Sequence, residues 1–262
     1  MKKIGIIGYG VVGKAIDLTL ASQFETFKFD KFSHYDPFEK LLDTSFIFIS
    51  VPTPYDQSTM KTDDSAVRES LRKLDENEYS GIVIVKSTLA LGSSKLYNEE
   101  YNLRLVFNPE FLRESLTPDK DFKEQDTVVI GSDSSDHFYQ VKKMYEKVLI
   151  EEAEYFHTSF DAAEMVKLAQ NAMLASRVAL ANIIFDSCES YNIDYSLLRK
   201  IAFDRFDILG PHMVQVPGPD GKRGFGGKCL PKDISAFSKI SDSEIIKQII
   251  NYNKTLRDDL GK

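Results

Sequence analysis

Sulfur is scarce in this chain. Of its 262 residues two are cysteines, Cys188 and Cys229, and tryptophan is absent altogether. Two thiols cannot build a disulfide framework, so a reducing cytoplasm is the expected compartment. Clustered positive charge is lacking too. Lys and Arg number 33 against 40 Asp and Glu, a formal charge of −7, which argues against an electrostatic nucleic-acid partner. No apolar run reads as long enough to span a bilayer, and the opening MKKIGIIGYG has no signal-peptide cleavage pattern, so no membrane partner is expected. There is no internal repeat, no low-complexity segment and no expected metal site. What is there is an ordinary globular composition, 42% hydrophobic and 28% charged, long enough for one large domain or two small ones.

The first half alternates short apolar runs with amphipathic segments. Strands are predicted at residues 3–7, 26–29, 46–51, 82–86, 103–107 and 127–130, with a last one near 154–156. Helices are predicted between them at 12–22, 64–74 and 135–148. Alternation of this kind implies βαβ units: an α/β domain with a Rossmann-like, doubly wound, mostly parallel sheet over residues 1–158. Residues 161–191 contain neither Pro nor Gly, and 172–185 are apolar on nearly every face. A helix apolar all round is buried, and in a chain this size that points to a second subunit, so a homodimer through 161–191 is expected. Shorter helices at 196–203, 232–239 and 243–260, separated by the Pro/Gly-rich loop 209–228, complete an all-helical domain over 159–262 with a long central helix.

GYGVVG places Gly8, Gly10 and Gly13, with Val11 and Val12, directly after a strand and at the start of a helix. Such glycines permit a tight turn and close backbone approach to a pyrophosphate, with helix amides aimed at its charge. Asp30 ends the second predicted strand, twenty residues after Gly10, where a carboxylate would accept from a ribose diol and favour NAD over NADP. Pro52 and Thr53 of SVPTP, and Thr88 of KST, follow the third and fourth strands at the sheet edge where ligands of such folds bind. For Thr88 a hydroxyl satisfying its own turn explains the pattern equally well.

Cys229 lies in GFGGKCLPKD, among glycines and lysines. Pro231 suits a first helical position, which would set Cys229 just before a helix N-terminus; that positive end and the lysines should lower the thiol pKa. A small buried hydrophobe is the competing reading, and the glycine-rich, cationic flanks favour the reactive one. Cys188, near the end of the long helix, reads as packing. Lys167 and Asn171 are four apart on that helix and share a face, either as acid/base and oxyanion donor or as a solvated strip. Glu110 and Glu114 of NPEFLRE read from composition alone as exposed acids.

Together GYGVVG, SVPTP, KSTLALG, FNPEFLRE, KLAQN and GFGGKCLPKD resemble, in order and over nearly the whole chain, the nucleotide-sugar 6-dehydrogenase (UDP-glucose/GDP-mannose) family. The resemblance implies NAD-dependent four-electron oxidation of a sugar C6 alcohol to a carboxylate, with UDP-glucose to UDP-glucuronate as the expected pair. It implies that Cys229 forms a thiohemiacetal and then a thioester. Lys167 and Asn171 match residues that stabilise oxyanions. Asp233 and Thr88 match a pair that activates water, and Glu110 matches a base or water-positioning carboxylate. Glu114, Phe111 and Leu112 match cofactor and substrate contacts, Phe225 and Gly226 the loop over the nucleotide, and Arg205 an arginine reaching the neighbouring subunit's site. Three departures stand out. Residues 32–45 are shorter than the family's segment, Ala90 and Lys228 replace a common proline and serine, and the family's second α/β domain has no counterpart before Lys262. Two other readings remain: a single-step β-hydroxyacid-type dehydrogenase, which needs no thiol, and a non-catalytic sugar-nucleotide-binding or regulatory homologue.

Overall fold

The computed structural model describes residues 2–56, 58–59, 61–112, 117–206, 209–210, 213–241 and 243–258. Contacts divide the chain into two units, Met1–Gln57 with Lys61–Lys167, and Ser58–Met60 with Leu168–Lys262.

In the first unit the strands are β1 (Lys3–Ile7), β2 (Glu25–Phe29), β3 (Phe46–Ile49), β4 (Tyr55–Asp56), β5 (Lys61–Thr62), β6 (Ile82–Val85), β7 (Arg104–Phe107), β8 (Thr127–Gly131) and β9 (Glu154–Thr158). Its helices are α1 (Val11–Leu20), α2 (Glu39–Leu42), α3 (Ser65–Glu76), α4 (Ser93–Glu100), α5 (Pro118–Lys123) and α6 (Ser135–Tyr145). Seven strands form one sheet in the order β2-β1-β3-β6-β7-β8-β9, and β4 and β5 make a separate antiparallel pair. β2, β1, β3, β6 and β7 run parallel; β8 meets β7 antiparallel and carries β9 parallel to itself.

Strand periodicity builds both faces of the sheet. Ile4, Ile6, Phe46, Phe48, Ile82 and Ile84 face one way, against Ile16 and Leu20 of α1 and Val141 and Tyr145 of α6. Ile47, Ile49, Val83 and Val85 face the other, against Val67, Leu71 and Leu74 of α3 and Tyr97 of α4. Fully buried parallel strands read as continuous apolar runs, which is what FIFI and IVIV are. The third and fourth strands stop sooner than predicted, at Ile49 and Val85, and α6 stops at Tyr145. The short α2, α4, α5, β4 and β5 were not foreseen, because elements of two to eight residues carry little periodicity.

α7 (Phe160–Ser190) is a 31-residue helix, followed by α8 (Tyr195–Ala202), α9 (Leu230–Ser241) and α10 (Glu244–Asp258). The division between the units runs through α7 rather than ahead of it, because Phe160 and Ala163 of its first turn are buried in the sheet's core. In the second unit Ala172, Ala175 and Ala179 of α7 pack with Phe225 and Ile234, flanked by Ile246, Ile249 and Ile250 of α10. The expectation that α7 is buried all round does not hold within one chain: Met173, Leu180 and Ile183 are 67%, 57% and 47% exposed. α7 also corrects the reading that no run could span a bilayer, since by length and composition it could, with 39% of its most apolar stretch buried inside the protein.

Candidate active site

At the head of the first unit the chain turns from β1 into α1. Gly8 sits at φ +88°, a conformation that disfavours side chains, and its amide donates to Phe29 O at 2.9 Å. A Cβ on Gly13 would lie 2.1 Å from Gly8 O, so helix and turn close together only through glycine. At Gly10 a Cβ would meet nothing within 4 Å. Gly10 caps α1 with no side-chain hydrogen bond and no acid in the first turn, so the amides of Val11, Val12 and Gly13 face an uncapped, electropositive end. Asp30 is fixed beside it, accepting from Tyr9 N at 2.9 Å and Phe32 N at 2.9 Å. Since β2 and β3 flank β1 on opposite sides, this is the sheet's switch point. An open glycine turn, an uncapped helix end and a fixed carboxylate at that point fit a dinucleotide. Lys31, beside Asp30, is paired with Glu69 at 3.0 Å.

Further along the same edge, Thr53 Oγ1 donates to Thr88 O at 2.7 Å and Ser87 Oγ to Val51 O at 2.7 Å, tying the loops after β3 and β6 together. Pro52 is exposed, Thr53 buried and Thr88 half-buried. Glu110 is far from a free surface acid. Its Oε1 accepts from the amides of Phe111 (2.8 Å) and Leu112 (2.9 Å), and its Oε2 lies 2.9 Å from the fully buried Nζ of Lys86. Burial pushes the Lys86 ammonium pKa down, and Glu110 opposes that shift. Lys167 Nζ, buried, lies 5.4 Å from the Phe111 ring centroid. Glu114 lies outside the described residues.

In the second unit Asn171 is buried and its Nδ2 donates to Asp233 Oδ2. Burial of both Lys167 and Asn171 rules out a solvated strip. Asp233 is 1% exposed; its Oδ1 makes no hydrogen bond and lies 3.6 Å from Lys232 Nζ. Cys229 is exposed and stands just before α9, its carbonyl accepting from Asp233 N at 2.9 Å in the first helical turn. Leu230 opens α9, so Pro231 is its second residue rather than its first. Cys188 is 3% exposed and packs, as expected.

Phe225 is committed to the core. Asn253 brackets its backbone, accepting from Phe225 N at 2.7 Å and donating to Phe225 O at 3.0 Å, and Arg257 Nε donates to the same carbonyl at 3.2 Å. Gly226, next in the loop, is half-buried, and Arg205 is exposed after α8. Asn182 Oδ1 accepts from Gly224 N at 3.2 Å, and Arg223 pairs with Asp186. Lys86, Asn182 and Asn253 were passed over in the sequence. Lys86 closing the wholly apolar IVIV strand, and Asn182 inside the apolar 172–185 run, were the available signals.

Residues 25–149 match the NAD binding domain of the UDP-glucose/GDP-mannose dehydrogenase family, and residues 161–255 match that family's central domain. The UDP-glucose 6-dehydrogenase of Rickettsia bellii is 31% identical over 248 residues, 90% of this chain and 54% of that protein. A UDP-glucose dehydrogenase structure from Pyrobaculum islandicum superposes with a TM-score of 0.83 at 22% identity, covering 97% of this chain and 68% of that one. A UDP-ManNAc dehydrogenase structure from Pyrococcus horikoshii gives 0.80 at 20% identity, over 97% and 68%. The chain spans about half the length of the curated relatives it matches. It belongs to the UDP-glucose/GDP-mannose dehydrogenase family and carries that family's NAD binding and central domains.

Proposed function

We propose that the protein oxidises the C6 alcohol of a nucleotide sugar to the carboxylate, through a thioester on Cys229. One observation carries the reading: an exposed thiol at the start of α9, four residues from a buried carboxylate with one oxygen tied to Asn171 and the other without a hydrogen bond. A buried acceptor left unbonded is costly unless a ligand or water completes it. Each of its neighbours gains a role in this chemistry.

NAD, when bound, supplies the hydride acceptor for two successive two-electron oxidations. Cys229 Sγ adds to the aldehyde carbon and keeps C6 bound and tetrahedral until the second oxidation; hydrolysis then returns the thiol. The helix end behind Cys229 favours the thiolate. Asp233 Oδ1 accepts a proton from the hydrolytic water. Lys167 and Asn171 stabilise the oxyanions, Asn171 with one of its two N–H donors already fixing Asp233. Arg205 and the Gly226 segment contact the nucleotide portion. A second copy covers the apolar stripe Met173, Leu180 and Ile183 of α7, making the working form a homodimer.

UDP-glucose is the first substrate to test, on the name of the Rickettsia relative; UDP-ManNAc, after the Pyrococcus neighbour, and GDP-mannose complete the panel. Incubation with NAD and each nucleotide sugar, followed by mass analysis of the sugar product, tests the reading. The native protein should yield a uronate from one of them and Cys229→Ser none. Uronate formation by Cys229→Ser would refute the thioester route.

A further inference from the structure

β2 runs directly into Asp30, the carboxylate held beside the glycine turn, and residues 25–45 around it carry three lysines, Lys28, Lys31 and Lys40. Each is paired with a carboxylate. Lys28 Nζ lies 3.2 Å from Asp17 Oδ2, Lys40 Nζ 3.1 Å from Asp36 Oδ1, and Lys31 Nζ 3.0 Å from Glu69 Oε2. Glu69 stands on α3, and its other oxygen serves a further cation, with Lys73 Nζ at 3.6 Å. Lys73 lies over the rings of Phe29 and Phe38, 5.6 and 5.8 Å from their centroids, and Phe29 is the residue before Asp30. One carboxylate therefore engages two ammonium groups at the tip of β2.

Stability gives this arrangement little purpose. The Lys31 side chain is 63% exposed and those of Glu69 and Lys73 are 35% and 38% exposed, and ion pairs so placed contribute little to folding. The local field matters more to what binds beside it. Asp30 has one oxygen on the Tyr9 amide and the other on the Phe32 amide, which fixes its charge where the ribose of a dinucleotide is read. NADP differs from NAD by a 2′-phosphate on that ribose, a group of about two negative charges that a neighbouring basic side chain accommodates. Lys31 and Lys73 are the basic side chains at hand. The hydrogen bond from Lys31 lowers the Glu69 pKa below its ordinary value, so Glu69 stays ionised and offsets both of them at neutral pH.

We infer that Glu69 is a specificity-determining residue, which acts with Asp30 to select NAD by engaging the two lysines that a 2′-phosphate would require. Asp30 repels the extra phosphate directly; Glu69 acts through Lys31 and Lys73. The selection concerns cofactor binding within the first unit alone and holds whatever the sugar chemistry.

The test is calorimetric titration with NAD and with NADP, in the native protein and in an Asp30→Asn background where the direct repulsion is relieved. Native protein should bind NAD more tightly than NADP. Glu69→Gln should raise the ratio of NADP to NAD affinity roughly 5- to 10-fold, the size expected for one charge acting on a phosphate several ångströms away through water. The same factor should appear in the Asp30→Asn background, and it should shrink as salt rises from about 0.1 M to about 1 M. Adding Lys31→Met and Lys73→Met to Glu69→Gln should abolish the gain, since the effect runs through those cations. All three side chains are partly exposed, so the variants keep the core of the sheet, and melting curves check that they do. A ratio within about twofold of the parent in both backgrounds would overturn the inference. So would a gain that persists without the two lysines, or a native protein that binds NADP as tightly as NAD.

Discussion

Gly10 and Gly13 do different jobs three residues apart. The space around Gly10 is open and lies at the uncapped end of α1, whereas Gly13 is pressed against the Gly8 carbonyl. Gly10→Ala should cost about 1 kcal/mol or less, as cap exchanges do, while weakening NAD affinity at least ~10-fold because the methyl occupies the pyrophosphate's approach. Gly13→Ala should instead destabilise the first unit by roughly 1–3 kcal/mol, since the clash is with backbone that cannot step aside. Thermal melts with and without NAD separate the two effects; equal melting losses in both variants would contradict the assignment. The glycines were legible because a turn constrains residue type locally. Lys86 was not, because its meaning depends on Asn108, Pro109 and Glu110, which the fold brings alongside from another strand. Glu110 misread as an exposed acid for the same reason: composition cannot reveal a buried partner.

Among elements, α7 was legible to within one residue at each end and α9 to within two. A long segment free of Pro and Gly has few ways to fold other than as a helix, and a proline such as Pro231 is favoured in the first turn of one. What packs on them was not legible, since Asn253 reaches the Phe225 backbone from α10, 28 residues away. Asn253→Ala removes two buried hydrogen bonds to that loop and should cost about 1–3 kcal/mol. Nucleotide-sugar affinity should fall with it while NAD affinity stays unchanged, a split that calorimetry of the two ligands resolves.

α6 carries a pH-dependent contact. His137 Nε2 accepts from Arg104 Nε at 3.3 Å, which requires the neutral ring. Burial chiefly, then the charge of Arg104, hold its pKa below 6.5, against the opposing pull of Asp136 and a hydrogen bond with the Leu105 backbone. A base whose folded pKa is depressed stabilises fully above its unfolded value, about 6.5, and that contribution is lost as pH falls through the folded pKa. Stability should therefore decline on acidification below about 6.5. His137→Gln should flatten the decline, as followed by urea unfolding across pH.

For the whole molecule, alternation of strand and helix was enough to predict the mostly parallel sheet, because each βαβ step obeys the same rule, and the Pro/Gly-free run 161–191 marked the start of the helical second half. The reversal at β8 was invisible, since strand direction leaves little mark on a buried apolar run. The exposed stripe on α7 leads to a prediction at this scale. Leu180→Arg should convert a homodimer into a monomer in light scattering while leaving the fold intact. An unchanged mass would remove the dimer from the account.

The central claim is that one thiol carries the sugar through two oxidations. It is tested most directly by the moles of NADH formed per mole of limiting nucleotide sugar, measured for the native protein and for Cys229→Ser. The account predicts two for the native protein and a collapse to one or none in the variant. One NADH per sugar from both proteins would contradict it.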